Sequence, residues 1–362
     1  MGRRAPGRRL KQPAALLVAA ALLVGCTTSA ADDPPATQLG DGLNAALTAG
    51  SLSEFRRYFP DDAQGWERAR TWYEALTAGA GSIAQGASTE LRVTTTFVGD
   101  RRPATQTIAY RLHGTDPVLA EVIRTQSAPL WALDTTDVTT AAESGTLLSS
   151  GLDEAAESVW ATRLARAAAA VRDADVPGDG DWAGTLVVEV PRSDADFELI
   201  TSAPASSASA ITTCQAGTPR VVVSPEALEL DAGWLDSTLV HEAVHVATDS
   251  ACVAAGASLG WAVEGLAESV AARTDPATAA RNRRLVDAEL TAHGVPEGLP
   301  ERLESLTDYA LAQLAVDQVR ARLGAGADDL LNRATHHAGS VTAAELRRIT
   351  GWYLAELRRR AR

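Results

Sequence analysis

Leu239-Val240-His241-Glu242-Ala243-Val244-His245-Val246-Ala247-Thr248-Asp249 places two histidines four residues apart in an apolar setting. On a helix that spacing stacks His241 and His245 on one face, so two imidazole nitrogens can converge on one ion. Glu242 follows the first histidine and is placed to hold a water beside a metal rather than the metal itself. Leu235, Leu239, Val240, Val244, Val246 and Ala247 supply enough apolar surface for the helix to be buried beneath a sheet, and Asp231 and Asp236 are both candidates for its N-cap. Two ligands and a base are what zinc hydrolysis requires.

A buried histidine pair beside an acid would also arise from plain packing. The next element separates the readings. Gly260-Trp261-Ala262-Val263-Glu264-Gly265-Leu266-Ala267-Glu268 carries a second helical pattern with two carboxylates at i,i+4. Glu264 is a candidate third ligand, and Glu268 a candidate acceptor for the other ring N–H of a ligand histidine. Trp261 is expected to pack behind Glu264.

H-E-x-x-H followed by E-G-x-A-E resembles the gluzincin metallopeptidases, the group that includes thermolysin and the aminopeptidase N family. Eighteen residues lie between His245 and Glu264, similar to the aminopeptidase N spacing, while His245–Asp249 resembles the run after the second histidine of thermolysin. The resemblance implies Zn2+ held by His241, His245 and Glu264, Glu242 as general base, Glu268 orienting His241, and Asp249 as a further outer group. It is specific across 239–268 and covers roughly 150–340 in outline. The Gly-Ala-Met-Glu-Asn exopeptidase signature is missing from the sequence, so aminopeptidase activity is not implied.

The N-terminus reads as an export signal. Arg3, Arg4, Arg8, Arg9 and Lys11 precede a continuous apolar run, Ala14–Val24, too short for the roughly 20 residues of a spanning helix. Leu23-Val24-Gly25-Cys26 resembles the bacterial lipobox, which implies lipidation of Cys26, a membrane anchor and an extracytoplasmic location. Export leaves Cys214 and Cys252 as an even pair, most simply a disulfide; two buried free thiols are the alternative. Loss of the signal moves the formal charge from −13 to about −18, which argues against nucleic acid as a partner.

Four segments are expected: signal 1–25, tether 26–40, an N-terminal α+β domain 41–145, and a zincin-like domain 146–362. In the first domain, helices over 41–60 and 62–78 precede strands at Glu90–Val98, Thr105–Leu112 and Leu130–Asp137. This order weakly resembles nuclear-transport-factor-2-like or cystatin-like domains, which implies an accessory module with a possible protein partner. Trp66, Trp72 and Tyr73 are expected in its core.

The second domain opens with a helix Leu152–Asp173, then strands Gly184–Val190, Phe197–Thr201 and Arg220–Ser224. Ala208–Thr213 has two readings, a loop or an edge strand onto which an extended peptide adds. Helices about 276–292, 301–323, 326–338 and 341–359 complete an α+β architecture with a small mixed sheet and a helical C-terminal subdomain. Tyr309, His336 and His337 are the candidates for stabilising an oxyanion. The expected function is a lipid-anchored zinc metallopeptidase acting on a peptide or protein; the alternatives are a non-catalytic zinc-fold scaffold and an amidase of cell-wall peptides.

Overall fold

Local capping signals set the element ends. In the computed structural model, which describes residues 35–362 apart from Ser88, Thr115, Gln126, Ser127, Asp179 and Arg302, the chain is a mixed α+β fold. The signal segment, Cys26 and most of the tether lie outside the described residues. The described residues belong to one compact unit.

Helix α1 (Pro35–Thr48) stops at Gly50, whose φ of 67° ends the helical path, and Ser51 caps α2 (Leu52–Arg56). Asp62 caps α3 (Ala63–Ala78). Strands β1 (Ser82–Gln85), β2 (Glu90–Thr95), β3 (Ala104–Leu112) and β4 (Leu119–Val122) form an antiparallel meander in sequence order. Trp72 is fully buried, whereas Trp66, expected in the core, is 43% exposed beneath the Arg56 guanidinium.

The expected strand Leu130–Asp137 is instead a helical turn, α4 (Leu130–Leu133), followed by β5 (Asp137–Ala141). Pro129 fixes the approach, and Trp131 is buried edge-on against Trp72 with centroids 5.3 Å apart, so tertiary packing overrides strand propensity. Strand β6 (Gly145–Ser149) follows. Asp153 caps α5 (Glu154–Asp173), and β7 (Leu186–Val190) returns beside β6. Phe197–Thr201, also expected as a strand, lies in α6 (Asp194–Thr201), because Ser193 accepts the Asp196 N–H as an N-cap.

Strands β8 (Ala210–Gln215) and β9 (Thr218–Val223) complete a five-stranded sheet of order β5-β6-β7-β9-β8, in which β6, β7 and β9 are parallel. β8 is the edge. The expected boundary at 145/146 therefore falls within β6. Both faces of this sheet are covered: Leu186, Val188, Val221 and Val223 face the core that holds α5 and α7 (Ala232–Thr248), while Leu148, Val187 and Val222 join the core of α3 and the meander. Helices α8 (Gly260–Thr274), α9 (Pro276–His293), α10 (Leu306–Leu323), α11 (Ala327–His336) and α12 (Ala343–Arg360) form the C-terminal subdomain. Among the described residues no helix is long and apolar enough to cross a membrane.

The turn between β2 and β3 binds the two halves. Gly99 sits where a Cβ would lie 2.4 Å from the Leu186 carbonyl, at a φ of 112°. The next three side chains each reach a partner in the rest of the fold. Asp100 pairs with Arg220 of β9 at 2.8 Å, both fully buried, and the Glu189 carboxylate of β7 lies 3.6 Å from the same guanidinium. Arg101 donates to the carbonyls of Val246 and Ala247 at the C-terminus of α7, where cations are favoured. Arg102 makes a bidentate pair with Asp249.

Cys214 and Cys252 form a disulfide across 38 residues, joining the end of β8 to the short 3-10 turn Ser250–Cys252. Closing a loop of that length is worth about 2–4 kcal/mol. Reduction under native conditions is expected to lower the unfolding free energy by that amount, which urea titrations with and without a thiol reductant would measure.

Candidate metal centre

Helix α7 begins at Asp231, which accepts the N–H groups of Gly233 and Trp234; Asp236 lies within the helix and pairs with Arg163. The helix is buried along most of its length and is a rigid mount for His241 and His245. Helix α8 crosses beside it. Gly265 is required at the crossing with α10, because a Cβ there would lie 2.3 Å from the Ala312 carbonyl.

The two histidines and Glu264 converge, with one potential ligand atom from each lying within 4.8 Å of the others. Glu264 Oε2 is 3.1 Å from His241 Nε2 and 3.4 Å from His245 Nε2. The remaining ring nitrogens are tied from behind. His241 Nδ1 meets Glu268 Oε2 at 3.0 Å, and His245 Nδ1 meets Ser250 Oγ at 3.1 Å. Both imidazoles therefore present Nε2 to one point, the arrangement that suits a metal ligand. This His241, His245 and Glu264 group can hold a metal ion.

Electrostatics within the group are tightly coupled. Burial disfavours the His241 cation, yet hydrogen bonds to Glu264 and Glu268 raise the ring well above the ordinary imidazole range. Glu264 is held well below the usual carboxylate range, since the two histidines outweigh its burial. Burial likewise opposes ionisation of Glu268, but His241, Asn282 and Arg281 hold its carboxyl down at about 2. A cation taken up between these side chains must displace the proton from His241.

A cavity of about 370 Å³ adjoins the group and is bordered by Ala208, Ala210, Trp234, His241, Glu242 and Tyr309 among others. Glu242 is held by edge strand β8: its Oε2 accepts the Thr212 N–H at 2.8 Å and the Thr212 hydroxyl at 2.7 Å. No family model, curated protein or solved structure matches the chain.

Tyr309 reaches the site, with its ring edge-on to His241 at 5.8 Å between centroids. Burial, with Glu264, Glu242 and Glu268 close by, pushes its hydroxyl up to about 12, so it remains a proton donor at neutral pH. His336 is placed elsewhere. Its Nε2 faces the Thr248 carbonyl and its Nδ1 the Asn332 carbonyl, so it buttresses the end of α7 and is not among the residues bordering the cavity. His337 is an exposed C-cap of α11. Asp249, expected as an outer group of the site, is instead the left-handed C-cap of α7 and turns its carboxylate to Arg102, while Ser250 takes the place behind His245.

Thr212, Ser250, Arg281 and Asn282 escaped the sequence reading, because residues brought in from β8, the turn after α7 and α9 stand at no fixed spacing from the histidines. Only Ser250 carried a signal, five residues beyond His245 and just past the helix end. Ser250→Ala is expected to weaken metal binding about tenfold, the lower end of the effect of losing a hydrogen-bond partner behind a ligand. Competition with a chromophoric chelator would measure it.

Proposed function

We propose that the chain is a zinc-dependent metallopeptidase of the gluzincin type, exported and anchored through lipid on Cys26. The observation that carries the reading is the convergence of His241, His245 and Glu264 beside a cavity that Glu242 also borders. Two imidazole nitrogens and one carboxylate are a donor set suited to zinc. Zinc held there would supply a Lewis acid and lower the pKa of water toward about 7.

The chain's own groups divide the remaining work. Thr212 engages Glu242 Oε2, which leaves Oε1 to accept a proton from water and return it to the leaving amine. The Tyr309 hydroxyl, protonated at neutral pH, donates to the oxyanion of the attacked carbonyl. Edge strand β8 lies beside these groups. Ser209 O accepts from Ser224 N–H on the inward side, so by alternation Ala210 turns its backbone groups outward, where an extended peptide can add.

The test is metal content together with hydrolysis of a mixed peptide library and of cell-wall peptide fragments. About one zinc per chain and cleavage of peptides support the peptidase. Cleavage of cell-wall fragments alone assigns an amidase, zinc without any cleavage assigns a scaffold, and absence of metal binding overturns the reading.

A further inference from the structure

Behind the candidate ligands, a chain of hydrogen bonds runs through three helices and closes on itself. It begins at Glu268 of α8, whose Oε2 faces His241 Nδ1. Glu268 Oε1 accepts from Asn282 Nδ2 of α9 at 2.6 Å. The same Asn282 amide donates to Gln313 Oε1 of α10 at 2.8 Å, and Gln313 Nε2 donates to Asp317 Oδ2 at 3.1 Å. Asp317 Oδ1 then accepts from Ser269 Oγ at 2.7 Å, returning to the residue after Glu268. Asn282, Gln313 and Asp317 also border a second cavity of about 140 Å³, together with Arg283 and Arg360.

The polarity of this ring follows from its ends. A carboxylate accepts only, so Asp317 compels Gln313 to turn its NH₂ outward to it and its carbonyl inward. That carbonyl takes one hydrogen of Asn282, whose second hydrogen is thereby aimed at Glu268. Two amides that could each flip are locked in a single orientation. The ionised Glu268 is left with one oxygen satisfied and the other directed at His241.

We propose that Asn282, Gln313 and Asp317 are positioning residues that set the orientation of His241, and hence the metal affinity, through Glu268. The proposal rests on the reading of His241, His245 and Glu264 as a metal site, and extends it to residues that touch no ligand. Loss of hydrogen-bond partners behind metal ligands typically costs about 10–100-fold in affinity. Asn282 should show that effect, and Gln313, one bond further out, a smaller one of about 3–10-fold.

The experiment is Zn2+ affinity of the full chain by chelator competition, with the visible spectrum of the Co2+ form, for native protein, Asn282→Leu and Gln313→Met. Leu314→Ala, in the same helix and bordering the same cavity, is the packing control: it lowers stability without touching the ring. The expected result is weaker zinc binding and an altered Co2+ spectrum in both ring variants, with both readouts unmoved in Leu314→Ala. Gln313→Met, a change of similar volume at a partly exposed position, keeps the test available if Asn282→Leu does not fold. Native zinc binding with a Gln313→Met constant within about twofold of native overturns the ring, as does an equal loss in Leu314→Ala. Failure of the native chain to bind zinc overturns the metal-site reading instead.

Discussion

Arg220→Met is expected to destabilise the fold by about 3–5 kcal/mol, the cost of leaving a buried charge without its partner. Arg220, Asp100 and Glu189 are fully buried, and the guanidinium stands between the two acids. Burial pushes Glu189 up, against the attraction of Arg220, while burial opposes the Arg220 cation, which Asp100 and Glu189 hold in place. Methionine fills much of the volume but satisfies neither carboxylate. The loss should appear in urea unfolding as a lowered midpoint at unchanged slope. A change below about 1 kcal/mol would show that the triad contributes no more than a surface pair. Arg111–Glu121, exposed at 67% and 55%, provides that comparison, and its removal should leave the midpoint unmoved.

Under the proposed peptidase function, Glu242→Gln is expected to reduce hydrolysis by about 10²–10⁴-fold while metal content stays native, the range for a general acid–base group. Glutamine retains a carbonyl oxygen that can accept from Thr212, so β8 and α7 keep their register. What it loses is the ability to take a proton from water. The effect should fall on kcat rather than KM, measured on any peptide that the native chain cleaves. Retention of more than about a tenth of native turnover, with metal bound, would exclude Glu242 as the base.

The histidine helix was legible because its signal is local: an i,i+4 pair on α7 and a second i,i+4 pair on α8 need no knowledge of the rest of the chain. Helix α3 and the C-terminal helices were legible for the same reason, through periodic apolar positions. What stayed hidden depends on distant partners. Arg220 opens an expected strand, and nothing local tells that its partner is Asp100, 120 residues earlier. The turn at 99–103 clamps the end of α7, a contact that no local pattern in the sequence announces. Helix α6 had a local signal that was overlooked, Ser193 three residues before Asp196, outweighed by the apolar look of Phe197–Ile200. His336 illustrates the reverse, since chain order alone suggested a place at the site whereas its ring faces the Thr248 carbonyl.

The Arg101 cap on α7 also dictates an order of assembly. Synthesis runs from the N-terminus, so the β2–β3 hairpin emerges from the ribosome some 145 residues ahead of the carbonyls that its tip will bind. A hairpin closes locally and fast, whereas α7 must await β9 and the sheet face it lies on. The receiving surface for the last turn of the histidine helix is therefore ready before that helix exists. Truncations that remove residues 1–103 should leave the last turn of that helix without the Arg101 and Arg102 contacts that close it.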